Sequence, residues 1–156
     1  PVFYTYRRFG SWHKIQYWWF FGYNNTVMPG INHQGDWEHV TAWVYNGAVS
    51  NVSFAAHEGG ATRQAGSFML AGKRPVGFVA YGTHAAYSTA GLQSFPIGLG
   101  LSFYDLTGYG QSWNTHLNLK PLASQPWKDY AGAWGEVGNL ATTTGPLGPW
   151  HKRNDP

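Results

Sequence analysis

The chain is 156 residues long, 43% hydrophobic, 18% aromatic and 11% charged, with 21 glycines, 9 prolines and no cysteine. A Gly or Pro about every five positions breaks long helices and excludes a bundle or coiled coil; the lack of cysteine excludes a disulfide scaffold and thiolate chemistry. Ten basic against seven acidic side chains leave a net charge of +3, too mild to indicate a nucleic-acid partner or a charged disordered chain. What remains is an all-β protein: a β-sandwich of short antiparallel strands with long glycine-rich loops and at most one or two short helices, forming a single domain over residues 1–156. Because it starts at Pro1 rather than Met, the chain reads as a mature product or a domain excised from a longer protein.

In chain order, residues 14–23 are aromatic and β-branched and close on Asn24-Asn25, which predicts the first strong strand. A loop through Pro29-Gly30 leads into His33-Gln34-Gly35-Asp36-Trp37-Glu38-His39-Val40. The clearest local signal follows. Residues 40–45 and 48–54 flank Asn46-Gly47, the pattern of a two-residue hairpin loop whose central residues take positive φ. Residues 76–81 read as a further strand ending at Gly82-Thr83-His84, residues 99–105 and 113–119 as weaker strands, and residues 145–150 as extended loop. The longest apolar run, Tyr17-Trp18-Trp19-Phe20-Phe21, is far shorter than the roughly 18 residues that span a bilayer, so no transmembrane segment is expected.

Seven acids over 156 residues should be thinly spread, yet Asp36 and Glu38 flank a single Trp, with His33 three positions upstream. If Asn46-Gly47 closes a hairpin with no bulge, Tyr45 opposes Ala48, Val40 opposes Ser53, Glu38 opposes Ala55 and Asp36 opposes His57. Directly opposed residues share a face. Asp36, Glu38 and His57 then lie together beside the small residues Ala42, Ser53 and Ala55, while Trp37 and His39 point the other way. Two carboxylates with imidazoles suit a divalent cation such as Mg, Ca, Mn or Zn. They also suit general acid/base chemistry, with Asp36, Glu38 and His57 as the catalytic candidates. A solvated acidic strand end is the plain alternative.

The segment from His33 to Val40 resembles the GDWEHV signature of the vacuolar protein sorting-associated protein 62 family. The aromatic stretch of residues 15–24, the Tyr81-Gly82-Thr83-His84-Ala85-Ala86-Tyr87 segment and the Gly-Pro-rich tail from Gly145 to Trp150 resemble further parts of that family in the same order. More distantly, the chain is similar to the necrosis-inducing Nep-like cytolysins, whose GHRHDWE heptapeptide aligns on the same tripeptide. That resemblance implies a β-sandwich with a divalent metal held by His33, Asp36 and Glu38, and a protein that binds sphingolipid head-group sugars and damages membranes. The second His of the heptapeptide is Gly35 here, a departure from the pattern. His84 joins the metal candidates from the first resemblance, and His57 joins them from the hairpin register.

Nine tryptophans exceed what a surface needs, so most are expected in the core. Trp127, Trp134 and Trp150 lie in glycine-rich surroundings and are the expected exposed, target-binding ones. Three functional classes follow. The first is a secreted or externally delivered, toxin-like module that binds a glycan or glycolipid head group, or a membrane surface, around a divalent metal. The second is a metal-assisted or two-carboxylate hydrolase acting on a glycan or cell-wall polymer. The third is a structural domain for protein contacts.

Overall fold

The computed structural model describes residues 1–26, 30–57, 59–98 and 101–153. The chain forms β1 (Val2–Phe9), β2 (Trp12–Asn24), β3 (His33–Tyr45), β4 (Ala48–Ala56) and β5 (Gly59–Gln64). Four two-residue strands follow: β6 (Leu70–Ala71), β7 (Arg74–Pro75), β8 (Phe78–Val79) and β9 (Ala86–Tyr87). The last strands are β10 (Gly91–Gly98), β11 (Leu101–Thr107) and β12 (Leu119–Pro121), and a single helical turn, α1 (Pro149–Lys152), ends the described chain. The protein is all-β, as its composition predicts. Of the predicted features, Pro29 of the first loop and Leu99 and Gly100 of the 99–105 strand fall outside the described residues.

A six-stranded sheet ordered β12-β1-β2-β3-β4-β5 forms the frame, with hairpins β6-β7, β8-β9 and β10-β11 beside it. All neighbours are antiparallel except β1 and β12, which run parallel. The 13-residue strands β2 and β3 pair along nearly their whole length, Phe21 opposite Asp36 and Trp19 opposite Glu38. Alternation therefore sends Trp19, Phe21, Asp36, Glu38 and Val40 to one face and Trp18, Phe20, Trp37 and His39 to the other.

Both faces are covered. On the acid face Val40, Val52, Phe54 and Ala86 form a core with Trp19, Val49 and Phe68 against it, and Ala56, Ala80 and Ala85 form a smaller one. On the opposite face Phe3, Trp18, Trp37 and Leu122 are buried beneath Trp127, Trp134 and Trp150. The carboxy-terminal tail thus supplies the second layer on that side.

Asn46 (φ 47°) and Gly47 (φ 80°) form the predicted turn, and Tyr45 pairs with Ala48. The register then slips. Val44 opposes Val49 but Trp43 opposes Asn51, so Ser50 is an extra, bulged residue. From there Val40 faces Phe54 rather than Ser53, and Thr41 faces Ser53. Because side chains alternate with period two, this one-residue slip exchanges the faces of β4. Phe54 and Ala56 take the acid face, Ser53 and Ala55 leave it, and the predicted pairing of Asp36 with His57 does not form.

Other differences have local causes. Residues 76–81 pair only over Phe78–Val79, because Gly77 and the Gly82 turn interrupt the strand. Residues 113–119 form a 3-10 turn over Thr115–Asn118 before β12, and the predicted extended end closes into α1, with Pro149 at its first turn. No helix among the described residues is long and apolar enough to cross a membrane.

Candidate functional site

Asp36 and Glu38 share one face of β3, and the β8-β9 turn meets that face through His84. Their neighbours come from distant chain segments. His84 Nδ1 lies 3.0 Å from Asp36 Oδ2, and its ring stacks on Phe21 at 3.8 Å between centroids with 8° between planes. His84 is held by the tight turn in which Ala80 N–H donates to Ala85 O and His84 N–H donates to Ala80 O. Its backbone sits in the left-handed region at φ 61°, a conformation that side-chain and turn contacts must hold in place.

Beside this pair is a second carboxylate that the strand pattern alone does not single out. Asp105, from β11, is almost fully buried and accepts three hydrogen bonds. His57 Nε2 lies 2.8 Å and the Tyr87 hydroxyl 2.6 Å from its Oδ2, and the Thr83 hydroxyl lies 2.7 Å from its Oδ1. His57, also left-handed at φ 54°, is the first residue beyond β4 and turns away from β3 to reach it. The site therefore holds two Asp–His pairs, Asp36–His84 and Asp105–His57, linked through the adjacent Thr83 and His84. One signal could have pointed to Asp105: it is the only charged residue in residues 75–119, so a strand position facing the sheet demands partners for it.

The electrostatics differ between the three carboxyls. Burial holds the Glu38 carboxyl well above the ordinary value of 4.5; the Asp36 charge adds to this, Lys152 opposes it and Asp105 raises it further. Burial also pushes Asp105 up, but the hydrogen bonds from His57, Tyr87 and Thr83 outweigh it and hold the carboxyl below 3.8. Burial, then the hydrogen bond to and charge of Asp105, keep the Tyr87 phenol protonated. The two carboxyls are thus pushed in opposite directions: Asp105 toward its ionised form and Glu38 toward its protonated form.

The predicted metal set separates. His84 pairs with Asp36, Glu38 shares their strand face without joining the pair, and His57 belongs to Asp105. His33 lies on the opposite parity of β3, where Nδ1 is 2.8 Å from Gly35 O and Nε2 is 3.2 Å from Asn24 Nδ2. It lines a separate cleft with Tyr23, Asn32 and Glu136. Both of its ring nitrogens are engaged, so the trio His33, Asp36 and Glu38 does not fit a metal as arranged. Among the described residues no three His, Asp or Glu side chains gather closely enough to hold one.

Trp127, Trp134 and Trp150 are partly buried against Trp37 and Phe3 rather than exposed. The prediction of exposure fails because the glycines around them let the tail approach the sheet closely. Gly35 (φ 72°) shows how closely: a Cβ there would sit 1.5 Å from the Trp134 carbonyl oxygen. Reciprocally, a Cβ on Gly135 would sit 2.1 Å from the Gln34 carbonyl oxygen. The departure from the cytolysin heptapeptide at Gly35 therefore has a packing cause, since a histidine cannot stand there with the tail docked. Among the described residues the most exposed tryptophan is Trp113, at 68%.

A model of the vacuolar protein sorting-associated protein 62 family matches residues 22–100. The chain belongs to this family. The matched span holds Asp36, Glu38, His57, Thr83, His84 and Tyr87; Asp105 and the tail lie beyond it. Vacuolar protein sorting-associated protein 62 of Saccharomyces cerevisiae is 26% identical over 76% of this chain and 34% of its own length. TDA6 of the same yeast is 26% identical over 88% of this chain and 41% of its own. The chain thus spans between a third and a half of the curated relatives it matches. A solved structure described as a toxin fold for microbial attack and plant defense superposes with a TM-score of 0.51 at 20% identity, covering 81% of this chain and 53% of the other. The family member described here therefore has a toxin-like β fold.

Proposed function

We propose that this family member is a binding module that captures a glycan or glycolipid head group, with a hydrated divalent cation held by Asp36 and Glu38. The observation that carries the reading is the pair itself: two carboxyls two residues apart on one buried strand face, with Glu38 forced toward its protonated form by burial and by Asp36. Such a pair is relieved by a proton or by a divalent cation, and its oxygen donors suit Mg²⁺ or Ca²⁺. When bound, the cation would offer a Lewis-acidic position for sugar hydroxyls. The chain's own residues do the rest. Phe21 and the β8-β9 turn orient His84 against Asp36, and Asp105 anchors His57 and Tyr87 at the rim. The toxin-like fold supports placement outside the producing cell and action at a membrane surface.

Titration calorimetry with MgCl₂ and CaCl₂ tests the cation, comparing the wild-type chain with Asp36→Asn and Glu38→Gln. Saturable binding lost in both variants is expected, with glycan capture falling in EDTA. Equal metal content in all three proteins sinks the reading. The two Asp–His pairs favour one alternative: hydrolysis of a glycan or cell-wall polymer, with Glu38 as proton donor and His57 or His84 as base. Turnover abolished by Glu38→Gln while glycan binding persists would select the hydrolase.

A further inference from the structure

The tail builds a second site across β3 from the acids. An open cleft of about 790 Å³ is lined by Phe20, Gln34, Trp127, Asp129, Tyr130 and Trp134, with glycines, Ala133 and Pro126 filling the rest. No Lys, Arg or His lines it among the described residues. The aromatic rings are not coplanar. Trp134 stands at 77° to Trp127 (centroids 5.0 Å apart), 81° to Tyr130 (5.9 Å) and 62° to Phe20 (5.8 Å). At these separations the rings meet edge to face, so Trp134 is locked among the other three and the cleft opens beside a rigid cluster, onto aromatic surface with an acidic rim and no basic side chain. That arrangement suits a compact cation with no hydrogen-bonding demand.

The protein already uses the tail this way. Lys128 Nζ sits 5.0 Å from the Trp150 ring centroid and the Arg153 guanidinium 4.6 Å from it, so Trp150 has its cations supplied internally. Among the described residues none is placed over Trp127, Tyr130 or Trp134. Asp129 adds a carboxylate at the rim, shared with Lys128. The walls are also preset: the Trp134 backbone N–H donates to Pro146 O at 2.9 Å, and the glycine contacts at Gly35 and Gly135 fix the tail on the sheet.

The geometry points to the cleft as an aromatic cage for a quaternary ammonium group of the choline class. This goes beyond the cation reading of the acid face and does not depend on it, so every measurement is made in EDTA. The full chain is titrated calorimetrically with choline and with its neutral isostere 3,3-dimethylbutan-1-ol. Choline is expected to bind at least about tenfold more tightly than the isostere. Tyr130→Leu and Asp129→Asn, both at exposed positions, are expected to weaken choline about threefold to tenfold each with unchanged melting temperature. Trp134→Leu should abolish it, but its core contacts make the two exposed variants the deciding ones. Co-sedimentation with phosphatidylcholine but not phosphatidylglycerol vesicles assigns the group to a lipid head group; binding of choline without vesicle capture assigns it to a soluble ligand. Equal affinity for choline and isostere overturns the cage, as does choline binding that ignores both exposed variants. Binding of methyl glucoside lost in those variants, with no choline binding, would make the cleft a sugar site instead.

Discussion

The two faces of β3 show opposite solutions to covering one strand. Asp36 and Trp37 are consecutive, yet the first enters a polar network and the second an all-aromatic layer. On the acid face the cover is made of short hairpins whose side chains supply specific partners: His84 for Asp36, and His57, Tyr87 and Thr83 for Asp105. On the aromatic face the cover is a nearly strandless tail that docks by backbone approach at Gly35 and Gly135 and by edge-to-face rings. One side is held by directional bonds between titratable groups, which respond to pH. The other is held by contact area and shape, and responds to volume.

The comparison can be broken hardest on the aromatic side. Gly35→Ala places a methyl group into the Trp134 carbonyl and demands an L residue at φ 72°. A loss of about 3 kcal/mol is expected by chemical denaturation, with proteolysis concentrating in residues 125–150. On the acid side, Asp105→Asn sets an amide NH₂ against donors at one of its two positions. A loss of about 2 kcal/mol at pH 7 is expected. The folded pKa of Asp105 is depressed, so the wild-type advantage is complete above its ordinary value of 3.8 and is lost as pH falls through the lower folded value. Denaturation curves of the two proteins should therefore converge in acid.

Glu38→Gln sharpens the contrast by its sign. The folded pKa of Glu38 is raised, so the wild type loses stability as pH rises from 4.5 through the folded value. In EDTA the variant should melt higher than wild type at pH 7 and equal to it at pH 4. Added Mg²⁺ should raise the wild-type melting temperature and leave the variant unmoved. The smallest effect belongs to His33→Ala, which removes local contacts to Gly35 and Asn24 at a cost of about 1 kcal/mol. Mg²⁺ affinity should be unchanged; a large fall would return His33 to the cation site.

Much of the frame was legible without coordinates. Breaker density made the chain all-β, Asn46-Gly47 marked the turn, and the aromatic run in residues 14–23 marked β2. Asp36 and Glu38 stood out because acids are scarce, and one strand period between them guarantees a shared face. His84 came from a family resemblance as a metal candidate, and the structure pairs it with Asp36. His57 was drawn into the site by a register that the Ser50 bulge breaks, yet it lies in the same network through Asp105. A bulge costs one residue and leaves little trace in composition, so pattern reading carries the wrong face forward from that point.

The sequence by itself determined which residues alternate across each strand, where the chain must turn, and that two carboxyls share one strand face, because these depend on local geometry and residue type. Tertiary structure decided what meets those faces: Asp105 over the sheet, His33 on the far side of β3, and the tail's tryptophans as a second layer. Those contacts join residues dozens of positions apart, and they depend on one bulge and on backbone approaches of a few ångströms that no periodicity encodes.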